Sequence, residues 1–308
     1  MIKLEIDKEI GRYRVKEFLG RGGFSLVYLA ENGEGEKMAL KVGDSGGGGR
    51  YLGRFLEVSN ERHPEKVSPD ETPAEAVFFR PDGVLIDFLD AHEIDGMLRN
   101  EAKMLFTIRH PNVVDVRECF MHEGRPVIAM KFVRGKTLRE KIRALEEIRL
   151  NLFFTIVCAL KKLNATGQLV YHGDLKPENI VIRPSGLPVM LDPGARMHEH
   201  GFIVTTPHYN PLLLRDSRAD VMAIGIMLYE IMTGVLPFDE VPWKYAGKEP
   251  HGEIERLSLN YFLSHPPLKD LNPNMPDDFA KIVYRCLIIP EYGLEALEHD
   301  LFEFLLKK

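Results

Sequence analysis

The stretch Tyr171-His172-Gly173-Asp174-Leu175-Lys176-Pro177-Glu178-Asn179, continued by Ile180-Val181-Ile182 and by Leu191-Asp192-Pro193-Gly194, decides how this chain is read. Asp174 and Asn179 fall in a loop ahead of a short strand-like run, and Asp192 follows a second apolar run, Val189-Met190-Leu191. A hairpin between the two runs would bring all three side chains into one cleft. Oxygen donors of this kind suit magnesium, with phosphate oxygens completing its shell. A purely structural account makes Asp174 a cap and Asn179 a turn residue, but chance rarely assembles so ordered a set.

Upstream, Leu19-Gly20-Arg21-Gly22-Gly23-Phe24-Ser25-Leu26-Val27-Tyr28 places a glycine-rich turn between two strand-like runs. A dinucleotide-binding glycine motif should open a helix, whereas Leu26-Val27-Tyr28-Leu29 continues as strand, so that reading fails. Gly46 to Gly49 is followed by Arg50-Tyr51, which rules out a P-loop. A hairpin whose glycines let backbone amides approach a triphosphate fits, and so does an ordinary glycine hairpin. Next comes Met38-Ala39-Leu40-Lys41-Val42, a lysine inside an apolar strand. Such a lysine either snorkels to solvent or, if buried, needs an anion. Glu101 is the candidate, on a helix whose Leu98, Ala102, Leu105 and Phe106 would pack along one face.

From Tyr13 to about Val42 short β-branched or aromatic runs alternate with glycine turns, which predicts antiparallel hairpins. From about Leu138 helical spacing takes over: Leu138, Ile142, Leu145 and Ile148 recur at three or four residues, as do Phe153, Ile156, Val157 and Leu160. Strands followed by helices without βα alternation predict an α+β architecture in two lobes. The expected division is 1–132 and 133–308. Within the first lobe, residues from about 43 to 95 form an insertion with four glycines in a row and four prolines. Gly43 to Gly96 holds 12 acids against 5 arginines or lysines, so the chain's net charge of -6 is concentrated there. Phe78-Phe79 and Val84 to Leu89 are too apolar for pure disorder and predict local packing.

These motifs, in this order from about Tyr13 to Leu305, resemble the eukaryotic-type (Hanks-type) serine/threonine protein kinase family. The resemblance implies a bilobal protein-kinase-like fold, with a strand-rich N-lobe, a mainly helical C-lobe, and ATP in the cleft. It implies nucleotide binding by Gly20, Gly22, Gly23, Val27, Ala39 and Lys41, with Met130 as gatekeeper and the backbones of Lys131 and Val133 at the adenine. Lys41, oriented by Glu101, would hold the α and β phosphates; Asn179 and Asp192 would coordinate Mg2+. Asp174 would take the proton of the acceptor hydroxyl, and Lys176 would neutralise charge on the transferring phosphate. Leu175-Lys176-Pro177-Glu178-Asn179 resembles the serine/threonine rather than the tyrosine-specific members. His172 is expected to pack behind this loop.

Several positions depart from the family pattern. Ser25 stands at the third glycine of the loop, and Pro193 replaces the phenylalanine of Asp-Phe-Gly. Gly173 stands where most kinases have an arginine that pairs with an activation-loop phosphate, and the only hydroxyls from Gly194 to Thr206 are Thr205 and Thr206. A constitutively assembled loop follows. Thr206-Pro207-His208-Tyr209-Asn210-Pro211-Leu212 resembles the Ala-Pro-Glu segment with leucine for the glutamate, and no arginine stands near Gly293 to pair with one. Losing both partners avoids a stranded buried charge. The 60-residue spacing from Lys41 to Glu101 is long for the family and makes the acidic insertion the expected regulatory or partner-binding element.

Composition limits the remaining possibilities. With 44% hydrophobic and 28% charged residues and a pI near 6.0, the chain has a globular composition and no field to attract nucleic acid or an anionic membrane. The apolar run from Leu150 to Leu160 is closed by Lys161-Lys162, far short of the roughly 20 residues a membrane helix needs. Cys119, Cys158 and Cys286 show no paired spacing, and the first residues carry no secretory signal pattern, so a reducing, cytoplasmic setting is expected. The 11 histidines form no ligand pair suited to zinc. Two other functions fit the motifs: a small-molecule phosphotransferase of the aminoglycoside-kinase type, which shares His-Gly-Asp, and a pseudokinase scaffold marked by Pro193 and Leu212.

Overall fold

The computed structural model describes residues 4–22, 24–44, 77–79, 91–193, 196–197, 202–206, 208–212, 214–238 and 267–307. Gly23, most of the acidic insertion, Gly194, Pro207 and Trp243 lie outside the described residues. The chain divides into two compact units: residues 1–109, 114–132 and 195–204 form one, and residues 110–113, 133–194 and 205–308 form the other. A linear boundary at 132/133 therefore misses two excursions of the chain.

In the first unit a six-stranded antiparallel sheet has the order β1-β2-β3-β4-β7-β6, built from β1 (Glu9–Ile10), β2 (Tyr13–Arg21), β3 (Ser25–Asn32), β4 (Lys37–Gly43), β6 (Val116–His122) and β7 (Arg125–Lys131). Register sorts its side chains. Val27 lies opposite Lys41, and Ala39 opposite Met130, so these four share one face. Leu26, Tyr28, Met38, Leu40, Val42 and Ala129 alternate to the other face and join Tyr13 and Val15 in a buried core. Helix α1 (Ala91–Thr107) packs on the first face, burying Ile94, Met97, Leu98, Ala102 and Leu105. Phe106, expected on that packed face, is instead 37% exposed. Phe78 and Phe79 of the insertion lie in β5 (Val77–Phe79), the edge of a three-stranded sheet with β11 (Arg196–Met197) and β12 (Phe202–Thr205) in the order β11-β12-β5.

The second unit is mainly helical around a small sheet, β8 (Lys136–Thr137), β9 (Ile180–Ile182) and β10 (Pro188–Met190). Residues 110–113 belong here because Asn112 binds this sheet's edge: its Nδ2 donates to Pro188 O at 2.7 Å, and its carbonyl accepts from Met190 N at 2.7 Å. Helix α2 (Leu138–Arg143) opens with a capping box in which Thr137 and Glu140 satisfy each other's backbone amides. The helical spacing predicted through Ile148 is not realised, because α2 stops at Arg143 and Leu145 adopts φ 51° with 93% of its side chain exposed. Helix α3 (Asn151–Ala165) follows, then α4 (Ser217–Thr233), α5 (Leu268–Leu271), α6 (Asp277–Ile288) and α7 (Leu294–Leu306). Helix α4 is buried nearly all round, as befits the centre of a helical unit. Among the described residues no helix is long and apolar enough to cross a membrane.

Candidate functional site

Lys41 and Glu101 meet inside the strand-rich unit. The Lys41 Nζ donates to Glu101 Oε1 and Oε2 at 2.8 and 2.9 Å, and both side chains are at most 2% exposed. The chain chose the second of the two options open to a strand lysine: burial with a carboxylate. A buried pair of this kind is held because removing one partner strands the other charge, at a cost of about 3–5 kcal/mol. The helix that brings Glu101 is itself tied to the sheet, since Arg125 of β7 grips Asp95 of α1 through Nε at 3.0 Å and Nη2 at 2.7 Å. Gly43 makes room for that grip: a Cβ there would stand 2.7 Å from both the Arg125 guanidinium and Ile94.

The glycine turn lies over the same strand. Gly22 N donates to Ser25 O at 2.7 Å, Asp44 N donates to Phe24 O at 2.8 Å, and the buried Asp44 carboxylate meets Arg21 Nε at 2.7 Å. Ser25, the substitute for the third glycine, is buried as the first residue of β3, and the Phe24 ring lies 5.5 Å from Lys41 Nζ. At the end of β7, Lys131 N donates to Asp115 O at 2.8 Å. That amide is occupied, so any contact of Lys131 with a base falls to its carbonyl.

In the helical unit the loop before β9 builds a compact polar cluster. Asp174 Oδ2 accepts from Asn179 Nδ2 at 3.1 Å and faces Lys176 Nζ at 3.0 Å; Asp174 Oδ1 accepts from the Thr206 hydroxyl at 2.7 Å. The Thr206 oxygen in turn accepts from Lys176 Nζ at 2.7 Å. A carboxylate has about four acceptor positions, so with these three contacts one remains for a further donor. Because Nδ2 of Asn179 is spent on the Asp174 side chain and carbonyl, its Oδ1 is the group left for a ligand. Asp192 follows β10 at φ 46°, and the hairpin keeps it in register through Leu191 N donating to Asn179 O at 2.8 Å. An amide oxygen and a carboxylate are hard donors that fit Mg2+, which takes few protein ligands and completes its shell with phosphate and water.

The loop is held from behind. Asp220, fully buried in α4, accepts the backbone amides of His172 at 2.7 Å and Gly173 at 2.8 Å. The buried His172 ring bridges Asp174 N and Leu191 O, tying the loop to the strand that ends at Asp192. Gly173 has a local reason beyond the missing arginine: at φ 82° an added Cβ would meet the Tyr171 ring at 2.9 Å. A second hub joins α2, the segment after Thr206 and α4. Arg139 donates to Glu178 at 2.6 Å and also binds Glu230 and Tyr209, while the Tyr209 hydroxyl donates to Glu230 at 2.7 Å. Burial pushes the Tyr209 pKa up, and the neighbouring Glu230 pushes it further. Burial opposes the Arg139 charge, but Tyr209, Glu230 and Glu178 outweigh it and keep the guanidinium charged. Where the family's Ala-Pro-Glu glutamate would stand, Leu212 is buried beside a small apolar pocket shared with Leu287 and Tyr292.

Thr206, Asp220 and Arg139 were not singled out from sequence as site residues. Thr206 carried a signal, as one of only two hydroxyls in its loop. Asp220 carried a weaker one, an acid inside an otherwise apolar helix; Arg139 carried none, since its three partners come from distant segments.

The description "protein kinase domain" belongs to the family model that matches residues 89–289. A probable serine/threonine-protein kinase of Clostridium perfringens is 26% identical over 300 residues, 92% of this chain and 36% of that protein. CBL-interacting serine/threonine-protein kinase 3 of Arabidopsis thaliana is 28% identical over 255 residues, covering 77% of this chain and 48% of its own length. The chain thus spans about a third to a half of the length of these curated relatives. Among solved structures, the apo form of PpkA-294 matches 98% of this chain and 99% of its own with a TM-score of 0.63 at 19% identity, a likeness of fold.

Proposed function

Because this chain belongs to the protein kinase domain family, we propose that it transfers the γ-phosphate of ATP to a serine or threonine hydroxyl of a protein, with Mg2+ as the metal. The observation that carries the reading is the Asp174 cluster: a carboxylate with one acceptor position open, a lysine 3.0 Å away and an asparagine whose Nδ2 is spent on Asp174, leaving its amide oxygen for a ligand. Asp174 accepts the proton of the acceptor hydroxyl and orients that oxygen. Lys176 stands where charge grows on the transferring group. Asn179 and Asp192 hold the metal, whose role when bound with ATP is to neutralise phosphate charge. Lys41, kept charged and fixed by Glu101, holds the α and β phosphates, and the face shared by Val27, Ala39 and Met130 takes the adenine, with Lys131 and Val133 supplying backbone groups. Gly20, Gly22 and Gly23 cover the phosphates. The relatives' names favour a protein acceptor over a small molecule and an active enzyme over a scaffold.

The acidic insertion is the segment we assign to a regulatory partner. Its strand β5 belongs to the same sheet as β12, and β12 ends one residue before Thr206, which binds Asp174. The three cysteines are free, which supports a reducing, cytoplasmic compartment. The test of the catalytic reading is transfer of radiolabelled phosphate from Mg·ATP to the protein itself and to a generic basic acceptor. Label on serine or threonine is expected, falling at least about 100-fold in Asp174→Asn. Absence of transfer with nucleotide still raising the melting temperature would overturn it in favour of a scaffold.

A further inference from the structure

A cavity of about 720 Å³ lies in the helical unit, lined by none of the site residues described above. Its walls are the turn after β9, the chain leading into β8 and α2, and the start of α3. Five cationic side chains, Arg134, Lys136, Lys141, Arg149 and Arg183, face it against the single carboxylate of Glu147. Lys136 and Lys141 share one counter-ion, Glu146, at 2.5 and 2.6 Å, and their hydrogen bonds hold its pKa at about 2. Among the described residues the side chains of Arg134, Arg149 and Arg183 have neither an ion pair nor a hydrogen bond. Helix α3 adds to the same potential, because its N-terminus has no side-chain cap and no acid in its first turn.

We propose that this groove docks an acidic segment of the protein acceptor, a stretch in which aspartate or glutamate alternates with aliphatic residues. Guanidinium forks without partners are matched by carboxylates, which they bind in bidentate fashion. The groove also offers apolar surface: Leu152 forms buried floor, and Leu187 on the β9–β10 turn is 48% exposed. That mixture suits peptide side chains better than a lone phosphate. Its lining contains no aromatic ring on which a nucleic-acid base would stack. The charge is local, since the chain as a whole is acidic, so the groove selects by position and not by the field of the whole molecule. The role in acceptor docking rests on the kinase reading above; the binding itself does not.

The experiment is fluorescence anisotropy of a short labelled peptide of alternating glutamate and leucine with the full chain. Binding that weakens with added salt is expected, as is a loss of about tenfold or more in Arg149→Glu/Arg183→Glu. A lysine-leucine peptide should not bind, and inorganic phosphate should not displace the acidic one at equal ionic strength. Equal binding by the reversed variant or by the lysine peptide, no binding at all, or displacement by phosphate would overturn the proposal. The milder Arg134→Ala/Arg183→Ala should lose part of the affinity with an unchanged melting temperature, which separates docking from misfolding. Appending the acidic segment to a basic acceptor should then lower its KM in the wild type and not in the reversed variant, with turnover of the plain acceptor equal in both. If no acceptor is labelled at all, the kinase reading fails while the anisotropy result stands.

Discussion

The two polar clusters that this reading of the molecule uses are made in opposite ways. Lys41 meets a carboxylate 60 residues away in sequence, across a strand and a helix, and the pair is almost wholly buried. Asp174 meets Lys176 and Asn179 within five residues of itself and, among the described residues, draws Thr206 from farther off, 32 residues on. The first is a tertiary contact in which two buried charges are held by each other. The second is a local turn that leaves acceptor capacity open. Buried pairing suits a group that must stay charged and fixed; open acceptor capacity suits a group that must take a proton.

This contrast can be broken from either side. Lys41→Met removes the buried cation and strands Glu101, so phosphate transfer should fall at least about 100-fold, read as initial rates at saturating ATP. The double variant Lys41→Met/Glu101→Leu should regain thermal stability but no activity, since the desolvated charge is gone while the phosphate-holding ammonium is still missing. Recovered activity would mean that the pair only supports the fold.

Thr206 tests the local cluster more finely. Thr206→Val deletes the hydroxyl that bridges Asp174 and Lys176 and should lower kcat about tenfold with the KM for ATP little changed. Thr206→Ser keeps the hydroxyl and should restore most of the rate. A loss in serine equal to that in valine would assign the effect to packing of the methyl group.

The smallest expected effect on turnover comes from the tie that positions α1. Arg125→Met leaves Asp95 buried without its guanidinium and should cost about 3 kcal/mol of stability, seen in urea unfolding. It should raise the KM for ATP a few-fold as Glu101 drifts from Lys41. Adding Asp95→Leu should recover most of the stability. If neither variant moves the unfolding midpoint, the helix is held by its apolar face alone.

The legibility of these features follows their sequence range. Asp174, Lys176 and Asn179 were readable because a loop of consecutive residues carries its own spacing, and the β9–β10 hairpin because two apolar runs flank a Pro-Ser-Gly turn. The helical spacing through Ile148 misled, because periodicity does not register a chain reversal: Leu145 keeps the interval but turns outward at positive φ. Phe106 likewise sits at a helical interval from Ala102, yet is 37% exposed because it falls at the edge of the arc that Leu98, Glu101 and Leu105 bury.

By itself the sequence determined the antiparallel sheet ahead of the helices and the spacing that groups the candidate site residues Asp174, Lys176 and Asn179. Those properties are written in alternation, turn residues and short spacing, which act over a few bonds. Only the tertiary structure decided that Lys41 is paired and not solvated, that Thr206 closes onto Asp174, that Asp220 holds the loop by two backbone amides, and that three arginines face one groove without counter-ions among the described residues. Burial and pairing of charge depend on what distant segments bring to the same place, and a linear pattern carries no measure of that distance.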